Sequence, residues 1–187
     1  LGGMFGGRSF LNGASITAGG GLTVTVGRRI GNFRPTLSLQ GDYHAPFEMP
    51  NVDPVLTVGV QTMSARLLAS LDLVGDDAYR IDASVGGGAD VFFITPQSDL
   101  IPSSSLKRRA EVTPVLTVMM TGRLGLASSV DLYLGLACDF DLYAPRFVSR
   151  VGPMDTEKLW EPLVVRPSLV LGFSFNVAGH DPYSVGE

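Results

Sequence analysis

The segment FRPTLSLQGDYHA, residues 33–45, alternates between apolar or small side chains and polar side chains at every step. Leu37, Leu39 and Tyr43 share one face, whereas Gln40 and Asp42 belong to the other. A period of two residues is typical of a β-strand whose two faces meet different surroundings. The segment therefore predicts a strand with one face free of charged and amide side chains.

The same alternation recurs along the chain and predicts further strands. They cover residues 15–26, 63–73, 79–93, 110–126, 130–142 and 163–177. The glycine-rich residues 1–10 alternate less clearly, but they supply the eighth strand that a barrel with an even strand number needs.

Composition limits the class of protein before any site is considered. Of the 187 residues, 45% are hydrophobic and only 17% are charged, against about 25% charged residues in a typical soluble domain. A net charge of −4 argues against a nucleic-acid partner. The single cysteine, Cys138, excludes an internal disulfide. A transmembrane helix needs about 20 consecutive apolar residues, and the sequence has no such run. If the chain crosses a membrane, we therefore expect it to do so with the apolar faces of its strands.

The charged residues of the predicted strands fall on the polar faces. An eight-stranded barrel is just wide enough for its own side chains to fill it, and buried charges must be paired. We therefore predict a lumen closed by ion pairs. The predicted network consists of Arg66, Asp72, Arg80, Asp82, Asp90, Glu111, Arg123, Asp139 and Arg166.

Long and short connections alternate between the predicted strands. Residues 46–58, 95–108 and 145–161 are long, whereas 74–78 and 127–129 are short. This alternation is typical of outer-membrane barrels, which have short periplasmic turns and longer external loops. The predicted fold is all-β: an eight-stranded antiparallel up-and-down transmembrane β-barrel over residues 1–177. Both termini are then periplasmic, with a periplasmic tail at residues 178–187.

On this pattern the chain resembles the small eight-stranded outer-membrane β-barrels of the OmpA type. Gly172, Phe175 and Val177 look like the C-terminal assembly signal of that family, although ten residues follow and valine replaces the usual final aromatic residue. The resemblance implies a place in the bacterial outer membrane and contact with its lipid and lipopolysaccharide. It also implies insertion by the barrel-insertion machinery.

Two pairs of residues suggest an alternative, catalytic interpretation. Asp42 with His44, and Asp139 with Asp141, each share a face and lie on strands predicted to be opposite each other. The set is similar to the omptin proteases, in which an Asp/His pair and an Asp/Asp pair activate water. The order of the pairs is reversed here, and omptins have ten strands. We therefore do not predict an enzyme, and we predict neither a cofactor nor a metal site.

The predicted function is structural: a plugged barrel that anchors, or forms complexes with, other envelope proteins. Three alternatives stay open: a small pore, a hydrolase formed at the external rim by Asp42, His44, Asp139 and Asp141, and a soluble lipocalin-like binding barrel. The strands of a soluble barrel would alternate in the same way, but their solvent-facing side normally carries many lysines. This chain has only Lys107 and Lys158, both outside the predicted strands.

Overall fold

The computed structural model describes residues 1–9, 16–27, 34–53, 56–75, 78–97, 108–127, 129–143, 147–150, 156–160 and 164–175. All the regular structure in this part of the chain is β-strand. The strands are β1 Gly2–Ser9, β2 Ile16–Gly27, β3 Thr36–Asp53, β4 Leu56–Gly75, β5 Tyr79–Gln97, β6 Arg109–Ala127, β7 Val130–Asp141, β8 Phe147–Arg150, β9 Thr156–Trp160 and β10 Val165–Phe175.

Eight of these strands form a closed antiparallel barrel, as the sequence predicts. Strands β1 to β7 pair in chain order, and β10 closes the ring between β7 and β1. The closing ladder places Gly2 opposite Ser174, and the Phe175 amide donates to the Leu1 carbonyl at 2.6 Å. The N-terminal segment therefore does supply the eighth strand, over Gly2–Ser9. Closure removes the unpaired strand edges that an open sheet would expose.

The two ends of the barrel differ in their connections. At the end that holds Leu1 and Phe175, which we call the turn end, β4 and β5 join over residues 76–78, and β6 and β7 over 128–129. Gly75 begins the first of these turns with φ of +131°, a conformation that side chains with a Cβ rarely adopt. At the opposite end, the loop end, residues 98–108 and 142–164 connect strands, and the second connection contains the β8–β9 hairpin.

The predicted loop at residues 46–58 is wrong in most of its length, because β3 and β4 continue through it as a paired hairpin. Phe47 lies opposite Val60, after a register shift that follows His44. The prolines at positions 46, 50 and 54 indicated a loop. Pro46 is tolerated because the described ladder between β2 and β3 ends at Gly19 and His44 and because Pro46 lies within the register shift between His44 and Phe47 on the β4 side, so it interrupts no ladder bond.

The outer face of the barrel is a continuous apolar band. On β5 the outward positions run from Tyr79 to Phe93 with only apolar residues or glycine between them, a length of about 45 Å of strand. A tilt of about 45° reduces this length to roughly 30 Å, the thickness of a bilayer's hydrocarbon core. Large side chains on this face, such as Leu39 and Leu136, stay more than half exposed. No helix capable of crossing a membrane occurs among the described residues.

Candidate functional site: the charged interior of the barrel

The alternation that points apolar residues outward points charged residues into the lumen. The structure gathers them into two groups. The central cluster contains Arg8, Asp42, His44, Arg66, Asp90, Asp139, Asp141 and Arg166. The turn-end cluster contains Asp72, Arg80, Asp82, Arg123 and Asp131.

Asp90 on β5 is the most heavily shared carboxylate of the central cluster. It is 0% exposed. Its Oδ1 accepts a hydrogen bond from Arg66 Nη2 at 2.6 Å, and its Oδ2 lies 2.5 Å from Arg166 Nη1. Arg8 Nη1 is 3.7 Å from Oδ1. Three strands, β1, β4 and β10, thus send an arginine to one carboxylate on β5.

Asp139 on β7 is the second meeting point. Arg66 Nη2 donates to its Oδ2 at 3.0 Å, Thr117 Oγ1 donates to its Oδ1 at 2.5 Å, and Arg8 Nη2 lies 3.4 Å from Oδ2. The neighbouring Asp141 forms a short ion pair with Arg166. These contacts cross the lumen, so the cluster occupies the cross-section of the barrel at this level.

Arg8 belongs to this cluster, although it was not among the residues predicted from the sequence. Besides its contacts with Asp90 and Asp139, Arg8 binds Asp42 Oδ2 at 3.2 Å and donates to Ser64 Oγ at 2.9 Å. The sequence held one signal: Phe5 is a large apolar residue, and if it faces outward, as the structure shows, the two-residue period places position 8 inside. The glycines around Arg8 had hidden that alternation.

The four residues of the catalytic alternative come close together, but not around a water-filled cleft. His44 Nε2 lies 3.0 Å from Asp42 Oδ2, and β3 and β7 stand on opposite sides of the ring, as predicted. Arg8 then occupies the space between Asp42 and Asp139. The cavity beside His44 has a volume of about 20 Å³, enough for one water molecule and too small for a peptide.

The remaining predicted network residues lie nearer the two ends. Arg123 Nε donates to Asp82 Oδ2 at 2.7 Å, and Arg80 Nη2 lies 3.5 Å from Asp131 Oδ2. Asp72 is directly opposite Asp82 in the β4–β5 ladder. Glu111 lies in neither cluster, because it pairs with Arg109 two residues earlier on the same strand.

Apolar side chains cover the central cluster on its loop-end side. This apolar layer consists of Val58, Val60, Phe92 and Ile94, all of which are buried. The Arg166 guanidinium lies over the Phe92 ring, 5.7 Å from its centroid. These residues were not predicted from the sequence, because they occupy inward positions on strand extensions that had been interpreted as loop or strand end.

The assembly-signal residues have local contacts of their own. Gly172 faces inward opposite Tyr133, and a Cβ added there would lie 2.5 Å from the tip of the Tyr133 ring. Phe175 points outward and is 50% exposed. Val177 and residues 178–187 lie outside the described part of the chain.

No group of three or more His, Cys, Asp or Glu side chains is arranged to hold a metal ion within the described ranges. The contacts of the charged interior are ion pairs and hydrogen bonds that join different strands across the lumen.

Comparisons with known proteins identify solved structures that have a similar fold. No protein-family model and no curated protein matches the chain. Among solved structures, a major outer membrane protein from Thermus thermophilus matches 94% of this chain over 99% of its own, with a TM-score of 0.59 and 10% identity. Ail, the attachment invasion locus protein of Yersinia pestis, matches 93% of this chain over 94% of its own, with a TM-score of 0.53 and 8% identity. The chain has the fold of the small eight-stranded outer-membrane β-barrels.

Proposed function

We propose that this chain is a bacterial outer-membrane barrel with a structural role, anchoring or forming complexes with other envelope components, and that its lumen does not conduct. The single observation that carries the proposal is the filled cross-section. Asp90 and Arg166 are 0% exposed at the centre of the lumen, beneath the apolar layer of Val58, Val60, Phe92 and Ile94.

The outer face supports residence in a membrane. In water, an apolar band of this size would be a large aggregating surface, whereas in a bilayer it meets lipid tails. On this proposal the partners of the band are outer-membrane lipid and lipopolysaccharide, and the barrel-insertion machinery places it there. The turn end then faces the periplasm with both termini, because outer-membrane barrels have their short connections on that side.

The loop end supports a role in complexes. Strands β3 and β4 have 18 and 20 residues, whereas a tilted strand needs about 9–11 residues to cross the bilayer. The paired hairpin therefore extends beyond the apolar band and offers a surface to other envelope proteins. Glu48 on this hairpin is exposed.

Planar-bilayer recording tests the plug. Purified protein reconstituted into bilayers should give no discrete conductance steps, although it should show folded, heat-modifiable migration on a gel. Regular single-channel steps from the same folded preparation would instead establish the alternative of a small pore. Labelling of cysteines introduced at the turn end and at the loop end of intact cells tests the orientation, since only the loop-end position should react from outside.

A further inference from the structure

An open groove lies on the outer face of the barrel, near its turn end. Strands β5, β6 and β7 form this groove, and its volume is about 250 Å³. Six outward-facing positions surround it: Tyr79, Ile81, Gly122, Leu124, Leu132 and Leu134. We call it the outer groove.

The outer groove exists because Gly122 carries no side chain. Ile81 is directly opposite Gly122 on β5, and Leu134 is directly opposite it on β7. Neighbouring strands are about 4.8 Å apart, so the backbones at Ile81 and Leu134 stand roughly 10 Å apart across the glycine. A Cβ added to Gly122 would have no atom nearer than the Leu134 carbonyl oxygen, at 4.0 Å. The space above Gly122 is therefore open.

The surroundings of the outer groove suit hydrocarbon. Among its six positions the only polar side-chain group is the Tyr79 hydroxyl. Arg80 and Arg123 also border the groove, but their guanidinium groups point into the lumen, towards Asp131 and Asp82. The groove is thus shaped for an apolar chain and not for an ion or a charged headgroup.

The depth of the outer groove in a bilayer follows from the strand geometry. Tyr79 begins both β5 and the apolar band, and Ile81 lies two residues further along. Two residues are about 7 Å of strand, which a tilt of about 45° reduces to roughly 5 Å of depth. An aromatic residue at the boundary is typical of outer-membrane barrels. The outer groove therefore lies just inside the hydrocarbon core, at the level of the first methylene groups of the lipid tails.

We propose that the outer groove binds one acyl chain of a membrane phospholipid, in the leaflet at the turn end; the inference rests on the membrane residence proposed above. Lipid tails are as apolar as leucine, so removal from water contributes nothing inside a bilayer. The chain is held instead by van der Waals contacts, which an empty space above Gly122 would forfeit. A second protein fits less well, because a stable interface buries roughly 1,000 Å² or more and the groove spans only three strands.

Native mass spectrometry of the folded protein, purified from membranes in mild detergent, tests the proposal. We expect one phospholipid to stay bound to each chain. Gly122→Leu places a side chain in the outer groove, and the open space above the glycine lets the variant fold. This variant should retain about 10-fold less lipid, which corresponds to about 1.4 kcal/mol.

Gly41→Leu is the matched control. Gly41 also faces outward, and a Cβ there would have no atom nearer than the Ser64 carbonyl oxygen, at 3.9 Å. It lies on β3, three strands away from β6 around the ring. Gly41→Leu should therefore retain lipid as the unmodified protein does.

Thermal unfolding of delipidated protein, followed by the gel mobility shift, separates the acyl chain from the headgroup. Phosphatidylethanolamine and phosphatidylglycerol of the same chain length should raise the unfolding temperature equally, because the groove contacts the chain. Glycerophosphoethanolamine, which has the headgroup without chains, should have no effect. In Gly122→Leu the phospholipids should add little, since the leucine side chain already fills the space.

Three results would each overturn the proposal. They are the absence of bound lipid in a folded, heat-modifiable preparation, equal lipid retention by Gly122→Leu, and a dimer that Gly122→Leu dissociates. The last result would assign the outer groove to a second copy of the chain. A chain that stays soluble without detergent would overturn the proposed membrane residence itself, and this inference with it.

Discussion

Replacing Arg166 by methionine should destabilise the barrel more than any replacement at its rim. Arg166 is 0% exposed and lies between Asp90, at 2.5 Å, and Asp141. Methionine keeps much of the side-chain volume but leaves both carboxylates buried without this cation. Removing one partner of a buried ion pair costs about 3–5 kcal/mol, because the remaining charge is uncompensated. We expect Arg166→Met to lower the free energy of unfolding by that amount.

Arg109→Met is the matched control for this substitution. Arg109 also pairs with an acid, Glu111, but its side chain is 70% exposed. Exposed ion pairs contribute about 0–1 kcal/mol, so this variant should unfold almost as the unmodified protein does. The assay is urea unfolding in lipid vesicles followed by circular dichroism, with both variants measured in parallel. Equal midpoints for Arg166→Met and Arg109→Met would refute the view that the central cluster holds the barrel together.

Three further predictions concern the interior. Phe92→Ala should lower the free energy of unfolding by about 3–5 kcal/mol in the same assay, because Phe92 is fully buried. Phe93→Ala, on the outward face, should lower it less. The reverse order would contradict the assigned faces. Gly172→Ala should lower folding yield in vesicles that lack any insertion machinery, since its Cβ meets both the Gly3 backbone carbonyl and the Tyr133 ring; a yield equal to that of the unmodified protein would contradict this close packing. His44→Ala should leave peptide hydrolysis at background, as in the unmodified protein, and an activity lost on this substitution would revive the hydrolase.

The strand pattern was predictable because it depends only on the two-residue period of a strand and on what surrounds each of its two faces, lipid outside and the charged lumen inside. Residues 79–93 illustrate this: the outward positions are apolar, and the strand β5 follows. The lengths of the strands were less predictable. Pro46 is more typical of a loop, and it is harmless within a strand because the β2–β3 ladder ends at His44 and the β3–β4 ladder has a register shift there.

The interior was predictable as a set of residues but not as a set of contacts. Most of the predicted arginines and aspartates do meet in the two clusters, since alternation sends them to one side. Arg8 was missed because glycines surround it, and Glu111 pairs at the rim because its strand has already risen above the central cluster. Which acid meets which arginine depends on register between distant strands, and single-strand patterns do not encode that register.

The amino-acid sequence by itself determined that this is an all-β barrel with an apolar outside and a charged inside, since the inward and outward direction of a side chain is a local property of a strand. Only the tertiary structure decided what the inside does. Closure brings Arg8 between Asp42 and Asp139, where it contacts both carboxylates. It also places Asp72 directly opposite Asp82, because the position of each charge across the lumen is set by the pairing of all eight strands.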